Sequence, residues 1–372
     1  MTGALAVTGW GALCSAGIGQ DALAAAIAGA ASGEPAQASS LYDVPLPTTE
    51  AHAVPGLDVR KLLGRRGTSF FDRCTGLALV ACGQALADSG LPVGDDHARD
   101  RIGVTLGTTA GSIQSSCDYS AETLLNDRPY LVNPVLFPNT VMNCAAGQAA
   151  IWFGLKGANT TVASGQVAFI NVLKYAQTLL RRGYADGILA GAVEEYTPVS
   201  AWSAWRNCGL VAGEGAGVFM VEPAERARAA GRFVQAEVLG VAVGFSQDPA
   251  GHHALAGCVR RALDASGADS SAVTLIATGA AARQAPDGAD DPQRRAVQAV
   301  LGRGDRDEIF VKERFGECQA ASAALQAASV LAVHRDAPDR DGQLALITAR
   351  TADGGVGAAV LRGWSRGGAD RG

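Results

Sequence analysis

Apolar residues in this chain gather into short runs separated by glycine-rich turns. Residues 4–8 form an apolar run that ends before a glycine, and a loop then leads to an Ala-rich helix over 21–28 closed by Gly29. Residues 29–55 are rich in Gly, Pro, Ser and Ala and are expected to wrap the surface. Residues 75–89 are apolar on nearly every face, which predicts a helix buried on most sides. A strand over 102–106, a turn over 107–112 and a more polar helix over 113–125 follow.

Two later segments repeat one pattern. In the first, the turn at 163–166 opens an apolar helix to Leu180, Arg181 and Arg182 place positive charge at its C-terminus, Gly183 ends it, and a strand runs over 187–193. In the second, residues 315–318 open an Ala-rich helix over 319–333, and a charged loop leads to a strand over 343–348. Two copies of turn, buried helix and buried strand predict a layered α/β fold, with the all-apolar helices between sheets. The halves are expected to meet in the polar stretch 222–231, which divides the chain into 1–225 and 226–372.

The 372 residues suffice for a large core, since a chain of this size buries roughly three quarters of its unfolded surface. Lys and Arg number 31 against 36 Asp and Glu, for a net charge of -5, and neither sign forms a block, so a nucleic-acid footprint is not expected. Eight cysteines without a C-x-x-C pair read as reduced, mostly buried thiols of a cytoplasmic protein. No basic-then-apolar leader and no apolar run of about eighteen residues is present, so no membrane partner is expected. Five histidines without an H-x-x-x-H pair offer little to a metal, and His252 and His253, beside Pro249 and Gly251, read as loop residues.

Two glycine clusters invite a nucleotide reading. Gly9, Gly11 and Gly17 have the wrong spacing for a dinucleotide fingerprint and lack a following acidic strand end, so a tight turn packed under a helix is preferred. The cluster 213–217 lacks the Lys-Ser/Thr of a phosphate loop and runs into a strand, which suits close backbone packing. An oxidoreductase would rest on these glycines alone, and no cofactor is implied.

Four segments in order, VTGWGALCSAG at 7–17, PNTVMNCAAGQAAIWFGLKGANTTV at 138–162, YADGILAGAVEE at 184–195 and GEGAGVFMVEP at 213–223, resemble the β-ketoacyl synthase family. The resemblance implies a thiolase-like fold, five-layered αβαβα with two pseudo-repeated halves, in which 138–162 is the dimer-interface segment. That family works with a cysteine at the start of a buried helix and two histidines. Matched residue by residue, the cysteine position falls on Gln166, the first histidine on Thr278 and the second on Glu317, while Lys312 is retained. An amide cannot carry an acyl group as a thioester. The chain therefore resembles the chain-length factors of type II polyketide synthases, non-catalytic subunits that pair with a catalytic ketosynthase and receive the acyl carrier protein through that complex. The simplest role for Gln166 is to satisfy the exposed N–H groups of the helix start. The alternative is a malonyl-carrier-protein decarboxylase, whose relatives usually keep the histidines lacking here.

The match departs from the family in two places. Only fourteen residues separate Pro198 from Gly213, and the C-terminal glycine turn at 351–355 has no phenylalanine. Both changes fit a subunit that receives no substrate itself, and the shortened middle resembles polyene-type pairs. The resemblance places a tunnel-lining helix after Gly111, where Ile113, Ser116 and Ser120 share one face, with Leu136 and Met142 as further wall residues. By periodicity alone the two serines would be a solvated helix face.

Overall fold

The computed structural model describes residues 4–30, 35–91, 94, 96–247, 252–280 and 291–366. Ten strands form one path: β1 (Leu5–Cys14), β2 (Ile102–Thr108), β3 (Asn159–Ala163), β4 (Gly187–Glu194), β5 (Gly215–Pro223), β6 (Ala236–Phe245), β7 (Val273–Thr278), β8 (Asp307–Phe310), β9 (Leu344–Arg350) and β10 (Gly355–Gly363). Their spatial order is β8-β7-β9-β10-β6-β1-β5-β4-β2-β3. Read outward from the centre, the first five strands run β1-β5-β4-β2-β3 and the last five β6-β10-β9-β7-β8, so one topology occurs twice. The parallel pairs β2/β3 and β2/β4 correspond to β7/β8 and β7/β9, and the remaining pairs are antiparallel. The two sets join where β1 pairs with β6 over only three residues, Leu5–Val7 against Ala236–Val238.

Helices cover and separate these sets. On the outer face of the first set lie α2 (Arg73–Ser89) and α4 (Cys144–Phe153), after α1 (Gln20–Ile27) and with α3 (Ile113–Leu125) between them in sequence. In the middle lie α5 (Ala168–Arg181) and α9 (Ala321–Arg335), each touching strands of both sets. Outside the second set lie α7 (His252–Ser266) and α8 (Pro292–Leu301), while α6 (Pro198–Cys208) follows β4. The result is the five-layered thiolase-like arrangement that the sequence implied. Helix α9 is buried on nearly every face because both strand sets press on it.

Several details differ from the sequence reading. His252 and His253 open α7 with their ring centroids 3.9 Å apart, because Leu255, Cys258, Val259, Ala262 and Leu263 supply a helical stripe that the neighbouring Pro and Gly obscured. Gly9 and Gly11 lie within β1, where a Cβ would come to 2.4 Å from the Ala85 oxygen and 2.5 Å from that of Ala81, so they admit α2 rather than form a turn. The cluster 213–217 does serve close packing: a Cβ on Gly213 would sit 2.1 Å from the Phe315 oxygen. Within the stretch 29–55, Ala38, Ala51, Ala53 and Val54 are buried rather than superficial. All eight cysteines are free, with only Cys117 and Cys208 exposed. No helix among the described residues is long and apolar enough to cross a membrane.

Candidate functional site

The turn before α5 and the turn before α9 face each other across the centre of the molecule. Gly165, in the left-handed region at φ 56°, bends the chain into a short 3-10 turn at Gly165–Val167, which presents Gln166. Opposite it, Gly316 at φ 74° and Gln319 at φ 46° bend the chain between Lys312 and α9. Gln319 is the one non-glycine residue with positive φ among the described residues, and its bend delays the start of α9 to Ala321.

Glu317 occupies the centre of this meeting point, fully buried. Its Oε2 receives Gln166 Nε2 at 2.9 Å and Lys312 Nζ at 2.7 Å, and its Oε1 receives the Gln319 N–H at 2.9 Å and Ser322 Oγ at 3.3 Å. Burial by itself would lower the Lys312 pKa, but the Glu317 charge and hydrogen bond outweigh it and shift it upward. Gln166 thus bonds across to the other half and does not cap its own helix: no side-chain cap bond is made at that start. The reason is geometric, since a carboxylate beside the amide offers a charge-assisted bond stronger than one to a backbone N–H.

Thr278 is not part of this cluster. Its Oγ1 accepts from the Ala280 N–H at 3.0 Å, and it lines a separate cleft of about 220 Å³ with Ile276, Arg294 and Arg306. Residues 281–290, which follow it in the chain, lie outside the described residues. The nearby thiols are poor nucleophiles. Cys208, exposed at the residue level, has a partly desolvated thiol 4.0 Å from Glu317 that is raised above the ordinary value, and burial raises Cys318 well above it, with Glu317 adding to both.

A second set of carboxylates, which the sequence reading did not single out, adjoins the first. Glu194 Oε2 accepts from the Thr109 N–H at 3.1 Å and the Ala320 N–H at 3.3 Å, and burial lifts its pKa to about 7 despite those bonds. Glu195, one residue on, is lifted to about 8, first by burial and then by Asp72 and Glu194. Two acidic residues closing an otherwise apolar strand are the signal in the sequence, because carboxylates are rarely buried without partners.

Of the tunnel candidates, Ser116 is half-buried and its Oγ donates to the Ser112 and Thr140 oxygens at 3.2 and 3.3 Å. Ile113 and Leu136 are half-buried, and Ser120 and Met142 are exposed. Only Met142 borders the cavity beneath β2, which it shares with Cys74, Thr108, Ser112 and Thr161, and whose volume is about 10 Å³. That is room for about one water. Along α3, α4 and the segment between them, several large apolar side chains face solvent: Leu124 is 84% exposed and Ile151 75%, with Leu125, Phe137 and Val141 also exposed. Strand β3 is paired on one side only.

Residues 4–209 match the family described as beta-ketoacyl synthase, N-terminal domain. The 3-oxoacyl-[acyl-carrier-protein] synthase 2 of Vibrio cholerae serotype O1 is 29% identical over 216 residues, 52% of this chain and 51% of that protein. The chain spans about half the length of the curated relatives it matches. Among solved structures, the ishigamide ketosynthase/chain length factor superposes with a TM-score of 0.84 at 34% identity, covering 97% of this chain and 100% of that one. The complex AntDE:AntF, a type II PKS acyl-carrier protein with its ketosynthase bound to the hexaketide, gives 0.80 at 20% identity, with 98% and 100% covered, a likeness of fold.

Proposed function

The chain belongs to the β-ketoacyl synthase family, and we propose that within it this protein is a non-catalytic chain-length factor, a subunit that pairs with a catalytic ketosynthase and shapes the space for its growing chain. The observation that carries this reading is the closed cluster Gln166–Glu317–Lys312: the nucleophile position holds an amide already bonded to a buried, ion-paired carboxylate. None of the three matched positions, Gln166, Thr278 and Glu317, supplies a thiolate to acylate or an imidazole to assist decarboxylation. The exposed apolar side chains around α4 and the half-paired strand β3 support a partner on that face, since a lone protein rarely leaves a large apolar patch or a bare strand edge to water. A length-setting wall from Ile113, Ser116, Ser120, Leu136 and Met142 would then be completed by the partner, consistent with so small a cavity in the single chain. The duplicated strand order supports a division into halves at residues 225 and 226.

Co-expression with a ketosynthase tests the proposal. The two chains should purify together, and chain extension on carrier protein should require both. Ile151→Asp, which puts a charge on the apolar face, should weaken pairing by at least about 30-fold, the equivalent of roughly 2 kcal/mol. A stable monomer without affinity for any ketosynthase would refute the reading. Release of carbon dioxide from malonyl carrier protein by the chain alone would favour the decarboxylase instead.

A further inference from the structure

Helix α3, the element that carries Ile113, Ser116 and Ser120, does not hold its own N-terminus. Ser112 stands at its N-cap position and makes no side-chain cap bond. The bonds come from elsewhere. Glu195 Oε1, just beyond the end of β4, accepts from the Gln114 N–H at 3.1 Å. Asp72 adds a bridge from α2: Oδ1 accepts from the Thr75 N–H at 2.8 Å as the N-cap of α2, and Oδ2 accepts from Ser115 Oγ at 3.1 Å on α3. Two side chains from other elements thus hold the start of α3, Glu195 from the end of β4 and Asp72 from the start of α2, where its exposed N–H groups need acceptors.

Building on the chain-length reading, we propose that Glu195 is a positioning residue for product length: it fixes the start of α3 against the end of β4 and so sets where the length-determining wall stands. The chemistry favours a wall that is rigid but tunable. Glu195 faces Asp72, Arg73 and Cys74 at the start of α2, Glu194 beside it on β4 and Tyr42 from the preceding loop. Arg73 is the cation among these groups and is itself bound to Glu214. Burial and the adjacent carboxylates lift Glu195 to about 8, so it is mostly protonated at pH 7 and ionises as pH rises through 8. A protonated acid grips the Gln114 N–H less firmly than a carboxylate, so the start of α3 should tighten above pH 8.

Hydrogen exchange on the chain in complex with its ketosynthase, combined with mass analysis of carrier-bound products, tests this. Glu195→Ala should raise exchange at Gln114 and Ser115 about fivefold, the factor equivalent to losing a helix cap of about 1 kcal/mol. It should also broaden the products towards longer chains, because an untethered helix can retreat. Glu195→Gln keeps an acceptor, so it should retain the exchange protection, yet lose the wild-type dependence of product length on pH between 7 and 9. Ser115→Ala, which removes only the Asp72 bond, should act in the same direction as Glu195→Ala at smaller size, and it provides the readout if the alanine variant does not fold. Unchanged exchange at Gln114 overturns the brace. Raised exchange with unchanged product lengths overturns its part in setting length. A wild-type chain that extends nothing with any ketosynthase counts against the chain-length reading instead, and the exchange measurement then still decides the brace.

Discussion

Removing the Lys312 ammonium tests whether the buried Gln166–Glu317–Lys312 cluster serves as a structural tie. In Lys312→Met the aliphatic bulk is kept while Glu317 loses its one cationic partner, which lies at 2.7 Å between two buried side chains. Breaking a buried ion pair by deleting one member typically costs about 3 to 5 kcal/mol, because the remaining charge is stranded in low dielectric. An unfolding entropy of about 2.1 cal/mol/K per residue over the 372 residues comes to about 0.8 kcal/mol/K. The expected fall in Tm by calorimetry is therefore about 4 to 6 °C. The double variant Lys312→Met/Glu317→Gln should recover much of that loss, since a glutamine oxygen can still accept from Gln166 or Gln319 without carrying charge. The pH dependence carries a sign as well. In the wild type, the raised pKa of Lys312 means its contribution is complete below the ordinary lysine value and is lost only as pH climbs through the folded one. A cost below about 1 kcal/mol, with no recovery in the double variant, would show that the pair holds nothing together.

Two further outcomes follow from the same geometry. Gln166→Cys should yield no acyl-enzyme by intact mass spectrometry with acyl carrier protein, because the new thiol would sit against the Glu317 carboxylate without a histidine, and efficient acylation would contradict this. Ser120→Phe, at an exposed position of α3, should shift carrier-bound products towards shorter chains with little loss of stability, whereas Ser116→Phe should do so at a cost of about 1 to 3 kcal/mol because its hydroxyl is packed against Ser112 and Thr140. Identical product lengths in both variants would return these serines to the role of a solvated helix face.

The sequence by itself determined a good deal, and the reasons are local. The spans of α2, α3 and β4 follow from apolar periodicity over a few turns, and α3 was read at the residues where it forms, 113–125. The chemistry of residue 166 was equally legible, since a glutamine amide cannot carry a thioester whatever surrounds it. What that amide bonds to was not legible. Gln166 and Glu317 lie 151 positions apart, so the bond that diverts the amide from its own helix start has no trace in local pattern. Glu214 shows the same limit: the glycines beside it announced close packing, yet its carboxylate binds Arg73, the Val54 N–H and the Tyr196 N–H, groups brought together only by the folded layers. Likewise the adjacent acids Glu194 and Glu195 were plain in the chain, but their raised pKa values depend on burial and on Asp72 and Glu317 arriving from other elements. Periodicity fixes which face of an element is buried, whereas the identity of what is buried against it is settled by the tertiary packing of two strand sets around two central helices.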